Sequence, residues 1–366
     1  MDRQIVRIVA ILLCLCLPIA GLTAASSYSE RFFDLRTESM GFAGVALYDS
    51  TGSIYLNPAS LYFQSENQFL LFSDFGTSVV PSDFTDGALL PFFQNPTNRL
   101  QAIFSNRYLA FSLGLGYSLE GRTEDTSEGT VKFKGLNSSE LQLNISYGSE
   151  MISLGFFARG GSTMERSSIV LGVDSAFIDY IQGTFLEKYV PIADQQFFTT
   201  GAGLLLRYKW ISMGVVTDSL FVMDYSSNEM MLEAGALLDT LSFGIALSTP
   251  TYGFYDELNL FVFTTCFDVA NLGDNDNREI RMGMELCLQL LPEYKISLRY
   301  GYHESRSSIS RIFSLDGSDG MTSFGVDVLL DRFSAQVTAQ IPLSMYDGIL
   351  EQGESFYLRL GINMVL

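Results

Sequence analysis

Leu109-Ala110-Phe111-Ser112-Leu113-Gly114-Leu115-Gly116-Tyr117-Ser118-Leu119 carries a large apolar side chain at every second position, with alanine, serine or glycine between. A period of two marks a β-strand with one greasy face and one small or polar face. In a soluble sandwich the greasy face would pack on a core. In a membrane barrel it meets lipid, and the small polar face lines a lumen.

The same alternation recurs along the chain. It appears in Leu141, Leu143, Ile145 and Tyr147, in Ile152, Leu154, Phe156 and Ala158, and in Met282, Met284, Leu286 and Leu288. It continues through Ile296, Leu298, Tyr300 and Tyr302, through Phe324, Val326 and Val328, and through Phe356, Leu358, Leu360, Ile362, Met364 and Leu366. Hydrophobic residues make up 47% of the 366-residue chain and charged residues only 17%, a membrane-like balance. Yet beyond the N-terminus there is no apolar run of about 18 residues that would cross a bilayer as a helix. A lipid-exposed backbone must satisfy its hydrogen bonds internally, which leaves a closed barrel. The expected fold is therefore all-β: a transmembrane antiparallel β-barrel.

Tight turns at Asn106-Arg107, Gly148-Ser149, Lys209-Trp210, Asp239-Thr240, Pro292-Glu293 and Asp331-Arg332 alternate with longer connections. The longer ones lie near 75–97, 121–137, 167–196, 219–228, 304–320 and 342–354. Short periplasmic turns opposite long outer loops are the outer-membrane arrangement. Fifteen strand-like segments can be marked, including 229–238 and 241–249, but bacterial single-chain barrels have even strand numbers. The turn alternation breaks between 240 and 280, so either one strand there is miscounted or the first segment lies outside the barrel. Fourteen strands are expected, with sixteen as the fallback.

The first residues have the form of a Sec signal peptide over 1–25, with Arg3 and Arg7, an apolar stretch from Ile8 to Leu17, and Thr23-Ala24-Ala25 for cleavage. Its removal, taking Arg3, Arg7 and Asp2, leaves 20 basic against 40 acidic side chains. That balance disfavours nucleic acid and anionic membrane surfaces as partners. The chain ends Arg359-Leu360-Gly361-Ile362-Asn363-Met364-Val365-Leu366, which resembles the signal read by the outer-membrane assembly machinery. The expected location is the outer membrane of a diderm bacterium, with membrane lipid and that machinery as partners.

Between the leader and the barrel, residues 26–65 lack clean alternation. They contain Ser39-Met40-Gly41-Phe42-Ala43-Gly44-Val45-Ala46, then Asp49-Ser50-Thr51-Gly52, then Asn57-Pro58-Ala59. Small residues allow close backbone packing and Asn-Pro marks a turn, as in a compact lumenal plug. The domain division is thus 1–25 leader, 26–65 hatch and 66–366 barrel.

The order Gly41 to Ala46, Asp49 to Gly52 and Asn57 to Ala59 resembles the outer-membrane long-chain fatty-acid transporter (FadL) family and its PorV-like relatives. Ile296-Ser297-Leu298-Arg299-Tyr300-Gly301-Tyr302 and Ser323-Phe324-Gly325-Val326 look like the same superfamily. The resemblance implies a fourteen-stranded barrel blocked by a hatch built on Gly41, Gly44, Asn57, Pro58 and Ala59. Its implied cargo is hydrophobic or amphipathic small molecules, above all long-chain fatty acids, moving by passive diffusion. A PorV-like secretion partner or surface interaction protein, or a general diffusion porin, is the alternative.

Two sets of residues are ligand-binding candidates. Phe177, Ile181, Phe185 and Tyr189 recur every fourth residue in an outer loop, an amphipathic-helix pattern that either packs on the rim or lines a greasy groove. Alternation also places Arg159, Arg207, Arg281, Arg299 and Arg359 on the lumenal side with Glu285 and Asp327. These arginines either bind a ligand carboxylate bidentately or form ion pairs that stiffen the lumen.

Enzyme chemistry has little support. His303 is the only histidine; at a strand end beside Glu304 and Ser305 it is expected to be a solvated loop-edge residue. There is no P-loop, metal-ligand cluster or dinucleotide fingerprint, so no catalytic residue, metal or cofactor is expected. Cys266 and Cys287 both point inward by alternation, as a disulfide or as two thiols.

Overall fold

Strand β1 (Gln68–Val79) pairs with β2 (Gln94–Asn106) on one side and with β17 (Phe356–Val365) on the other, so the two ends of the sheet close on each other. The computed structural model describes residues 34–48, 52–64, 67–79, 94–106, 108, 110–127, 130–167, 171–172, 190–224, 231–234, 237–250, 252–255, 259–274, 278–291, 294–305, 320–343 and 356–365.

The wall continues through β3 (Phe111–Ser127), β4 (Thr130–Gly148), β5 (Ile152–Ser167), β7 (Val190–Tyr208) and β8 (Ile211–Asp224). It is completed by β10 (Ser242–Ser248), β12 (Asn259–Ala270), β13 (Glu279–Leu291), β14 (Tyr294–Ser305), β15 (Gly320–Leu330) and β16 (Phe333–Pro342). With β1, β2 and β17 these make fourteen antiparallel wall strands. Three short strands extend them: β6 (Leu171–Gly172) on β4, β9 (Met231–Ala234) on β8, and β11 (Tyr252–Tyr255) on β12. No helix among the described residues is long and apolar enough to cross a membrane.

The alternation fixes which way each side chain points. In β16, Phe333, Ala335 and Val337 are exposed, whereas Ser334, Gln336 and Thr338 are buried. Outward faces elsewhere show Leu154, Phe156, Leu298, Tyr300, Leu360 and Ile362, each at least 40% exposed. A closed sheet with apolar residues outside and polar residues inside is the inverse of a soluble core, and it suits lipid. Rings cluster towards the short-turn end, where Tyr108, Tyr147, Tyr208 and Trp210 are exposed.

Three sequence expectations need correction. Asp239-Thr240 does not join two strands: β9 and β10 both pair with β8, and the 237–240 turn interrupts one descending strand. Merging 229–238 with 241–249 turns fifteen candidates into fourteen. Residues 121–137 include a long hairpin rather than only a loop, since β3 and β4 stay paired as far as Ser127 and Thr130. His303 is not a solvated loop-edge residue; it lies in β14, edge-on to Phe42 with ring centroids 5.1 Å apart.

Candidate functional site: a filled lumen

The inward faces of the wall meet the N-terminal segment. Helix α1 (Leu35–Ser39) is capped by Asp34, whose carboxylate accepts the Thr37 N–H at 2.8 Å. Arg36 and Glu38 are two residues apart and so project from roughly opposite sides of the helix. Each finds charge on a different part of the wall.

Arg36 Nη2 lies 2.5 Å from Glu285 of β13, which also receives Arg299 Nε of β14 at 2.7 Å. Arg299 reaches on to Asp327 of β15 at 3.1 Å. On the other side Glu38 meets Arg99 of β2 at 2.6 Å and Arg359 of β17 at 3.3 Å. Both arginines also contact Asp74 of β1, at 2.6 and 3.4 Å. Each cluster holds two guanidinium groups and two carboxylates. This balance is what allows such groups to remain charged away from water.

The next part of the segment is held mainly by hydrogen bonds. Asp268 of β12 accepts the Gly44 and Val45 N–H groups at 2.6 and 2.9 Å. Asn57 Nδ2 donates to Val45 O at 2.8 Å and to Leu204 O of β7 at 3.2 Å, while its Oδ1 accepts Ala59 N–H at 3.0 Å. The Asn57 cap and Pro58 open a 3-10 helix, Pro58–Phe63. A short helix, α2 (Ser53–Leu56), precedes it. Ser153 and Ser212 donate to Ala59 O and Ala46 O, both at 2.7 Å.

Close approach explains the small residues. Gly41 has φ +63, a left-handed conformation open to glycine, and its backbone lies directly against Tyr302 and Gly301 of β14. A side-chain carbon at Gly301 would collide with the Gly41 backbone. Met40, Ala43, Ala46, Leu47 and Ala59 form an apolar cluster with Leu205, Ala246 and Cys266 of the wall. Across the lumen, Tyr55 packs with Leu70 and Ile103. Burial pushes its phenol well above the usual range, so it remains neutral.

The five candidate arginines do not converge on one site. Arg299 and Arg359 belong to the two separate ion-pair clusters, and Arg281 pairs with Glu279 of its own strand at 2.6 Å. Arg207 lies over the Tyr48 ring at 4.4 Å and the Phe63 ring at 5.8 Å; Arg159 lies over Phe157 at 5.6 Å. Phe177, Ile181, Phe185 and Tyr189 lie outside the described residues. Gly41, Gly44, Asn57, Pro58 and Ala59 all contact the wall or lie in the segment that does.

Arg36, Glu38, Asp74, Arg99 and Asp268 were missing from the sequence-derived candidates. The parity that marks Glu285 and Arg299 as lumenal marks Asp74, Arg99 and Asp268 equally well. Among the described residues, no group of His, Cys, Asp and Glu could hold a metal.

Cys266 and Cys287 are free thiols, and their register partners on facing strands are Gly283 and Val262, not each other. Denatured protein alkylated without reductant is therefore expected to yield tryptic peptides labelled at both positions. A Cys266–Cys287 cross-linked peptide would contradict this.

These features define a closed fourteen-stranded barrel of outer-membrane type whose interior is packed with its own N-terminal segment. Solved structures share the architecture at low sequence identity. The Pseudomonas putida toluene transporter TodX aligns over 92% of this chain and 98% of its own, at 14% identity and TM-score 0.50. The CymD monoaromatic hydrocarbon channel aligns over 90% and 95%, at 11% identity and TM-score 0.52. The Ralstonia pickettii toluene transporter TbuX aligns over 93% and 98%, at 10% identity and TM-score 0.50. No family model matches the sequence, and no curated relative matches it.

Proposed function

We propose that the protein sits in an outer membrane and passes hydrophobic small molecules by passive diffusion, with residues 26–65 serving as a hatch. The observation that carries this is the apolar seam inside the barrel, where small residues of the N-terminal segment lie against Leu205, Ala246 and Cys266. Beside that seam the wall is irregular. Between the β8–β10 and β8–β9 pairings, β8 advances from Val216 to Phe221 while the other strand runs from Ala234 to Ser242. The β7–β8 register also shifts between Thr200 and Ala202. A greasy molecule leaving the seam there would reach lipid without crossing the charged clusters. The filled lumen argues against a general diffusion porin. A PorV-like role gains no particular support from this geometry.

The cargo is best read as uncharged. A charge-assisted site for a fatty-acid carboxylate would use an arginine, and Arg36, Arg99, Arg281, Arg299 and Arg359 are already ion-paired. Of the arginines marked in the sequence, Arg159 and Arg207 lie over aromatic rings, and a fatty-acid role is tested at these two. The solved neighbours named for toluene and monoaromatic hydrocarbons fit the uncharged class.

The test is flux of radiolabelled toluene and palmitate into liposomes containing the full protein. Protein-dependent toluene flux, unchanged in Arg159→Gln and Arg207→Gln, is the expected result. Palmitate flux alone, lost in either variant, would assign the fatty-acid cargo instead. Neither flux, together with a stoichiometric co-purifying protein, would overturn transport altogether.

A further inference from the structure

We propose that the outer face of the wall holds a seat for one membrane lipid, across β1 to β5 and β7. A groove of about 470 Å³ opens there, on the side of the sheet that faces away from the lumen. Its two edges are successive rows of paired residues, and their chemistry differs.

The row nearer the long-loop end starts at Leu100, which pairs with Tyr117, and is polar from there on. Tyr117 pairs with Ser139, Ser139 with Ser162, and Ser162 with Gln196. Ser139 and Ser162 share a hydrogen bond of 2.9 Å in an exposed position. The row below it is apolar: Leu71 pairs with Ala102, Ala102 with Leu115, Leu115 with Leu141, and Leu141 with Gly160. Leu115 and Tyr117 stand out from the wall, whereas Gly160 leaves the floor bare. Lower on β5 the outward residues are large, with Leu154 and Phe156 each about half exposed. The depression thus begins where side-chain size falls from Phe156 through Ala158 to Gly160 and Ser162.

Height selects the occupant. From the exposed Tyr147 ring at the short-turn end to Ser139 is nine residues of β4 counted inclusively, the lower end of the about 9–11 that a tilted strand needs to cross a bilayer. The polar row therefore falls at the far interface and the apolar row just inside the hydrocarbon. Serine, tyrosine and glutamine offer neutral donors, and neither row contains lysine or arginine. Such donors suit the ester carbonyls of a lipid, while the leucine-flanked floor suits its acyl chain. The Ser139–Ser162 bond uses one hydroxyl hydrogen and leaves the other to donate, and an ester carbonyl at this level accepts it. The groove is also continuous with the apolar belt that acyl chains cover everywhere else. The inference needs only the barrel and its orientation in a membrane, not transport.

Native mass spectrometry of the full protein, released from detergent containing palmitoyl-oleoyl phosphatidylethanolamine, tests it. One retained phospholipid is expected on the unaltered protein. Ala102→Phe, which fills the apolar row, and the double variant Ser139→Ala/Ser162→Ala, which removes only hydroxyls, are each expected to reduce that adduct about fivefold or more. Met284→Phe, outward on β13 across the barrel from the groove, should retain it. Heat-modifiable migration on gels checks that each barrel is folded, and the double variant serves if Ala102→Phe does not fold. Equal adducts in all variants would overturn the proposal. So would displacement of the lipid by toluene, which would give the groove to transported cargo. A dimer lost in Ala102→Phe would give it to a second copy.

Discussion

Removing residues 26–65 should turn a closed protein into an open channel, with single-channel conductance roughly tenfold or more above the intact chain. The wall strands pair with one another round the full circle, and that pairing needs nothing from the N-terminal segment. What the segment supplies is bulk: Leu35, Met40, Ala43, Ala46, Ile54, Leu56, Ala59 and Leu61 are all almost completely buried. Taking them away leaves a lumen lined by Asp74, Arg99, Gln101, Gln142, Asn144, Glu285 and Arg299, side chains that water wets readily. Planar-bilayer recording of the deletion variant checks the expectation, with gel mobility showing that the barrel has assembled. Gly301→Leu provides a second approach, because its side chain would occupy the space of the Gly41 backbone and displace α1 from β14. Conductance as low as that of the intact protein in both variants would mean that the segment does not close the pore.

Much of the wall was legible because a strand in a one-layer barrel repeats a single local decision. Each outward residue meets the same solvent, so Leu115, Leu154, Leu298 and Leu360 announce themselves without knowledge of their neighbours. The lumenal positions of Glu285, Arg299 and Arg359 follow from the same parity. The partners of these groups were not legible. Arg36 and Glu285 are 249 residues apart, and nothing local in either says that they meet. Parity also assumes an uninterrupted strand, which is why the 237–240 turn passed for a hairpin. Its structure depends on tertiary bonds: Thr217 Oγ1 donates to Leu237 O at 3.2 Å, and Gly273 N–H donates to Leu238 O at 2.8 Å. Asn57 was picked out as part of a turn signal, but its amide joins Val45, in the same segment, to Leu204 of β7, a partner 147 residues away that only the closed wall supplies.

Glu285→Gln should loosen the attachment of α1 by about 3–5 kcal/mol, the range for breaking a buried ion pair by removing one partner. The carboxylate sits between Arg36 and Arg299, with side-chain exposures of 7%, 11% and 4%. An amide of the same shape leaves two positive groups with only Asp327, which reaches Arg299 at 3.1 Å. The cost should fall on the segment rather than on the wall, because the β12–β13 and β13–β14 backbone pairings do not involve the side chain. The expected result is faster proteolysis at the N-terminal segment and intermittent channel openings, with unchanged heat-modifiable migration of the barrel. Replacing Arg36 and Glu285 together by methionine supplies the decisive comparison. Apolar groups of similar volume can substitute for a buried pair at little cost, and Arg299 keeps Asp327. The double variant should therefore recover most of the protection lost in Glu285→Gln. If it is as open as the single variant, the attachment depends on charge specifically rather than on filling that corner of the lumen. If Glu285→Gln is as closed as the unaltered protein, the Glu38 cluster holds α1 alone.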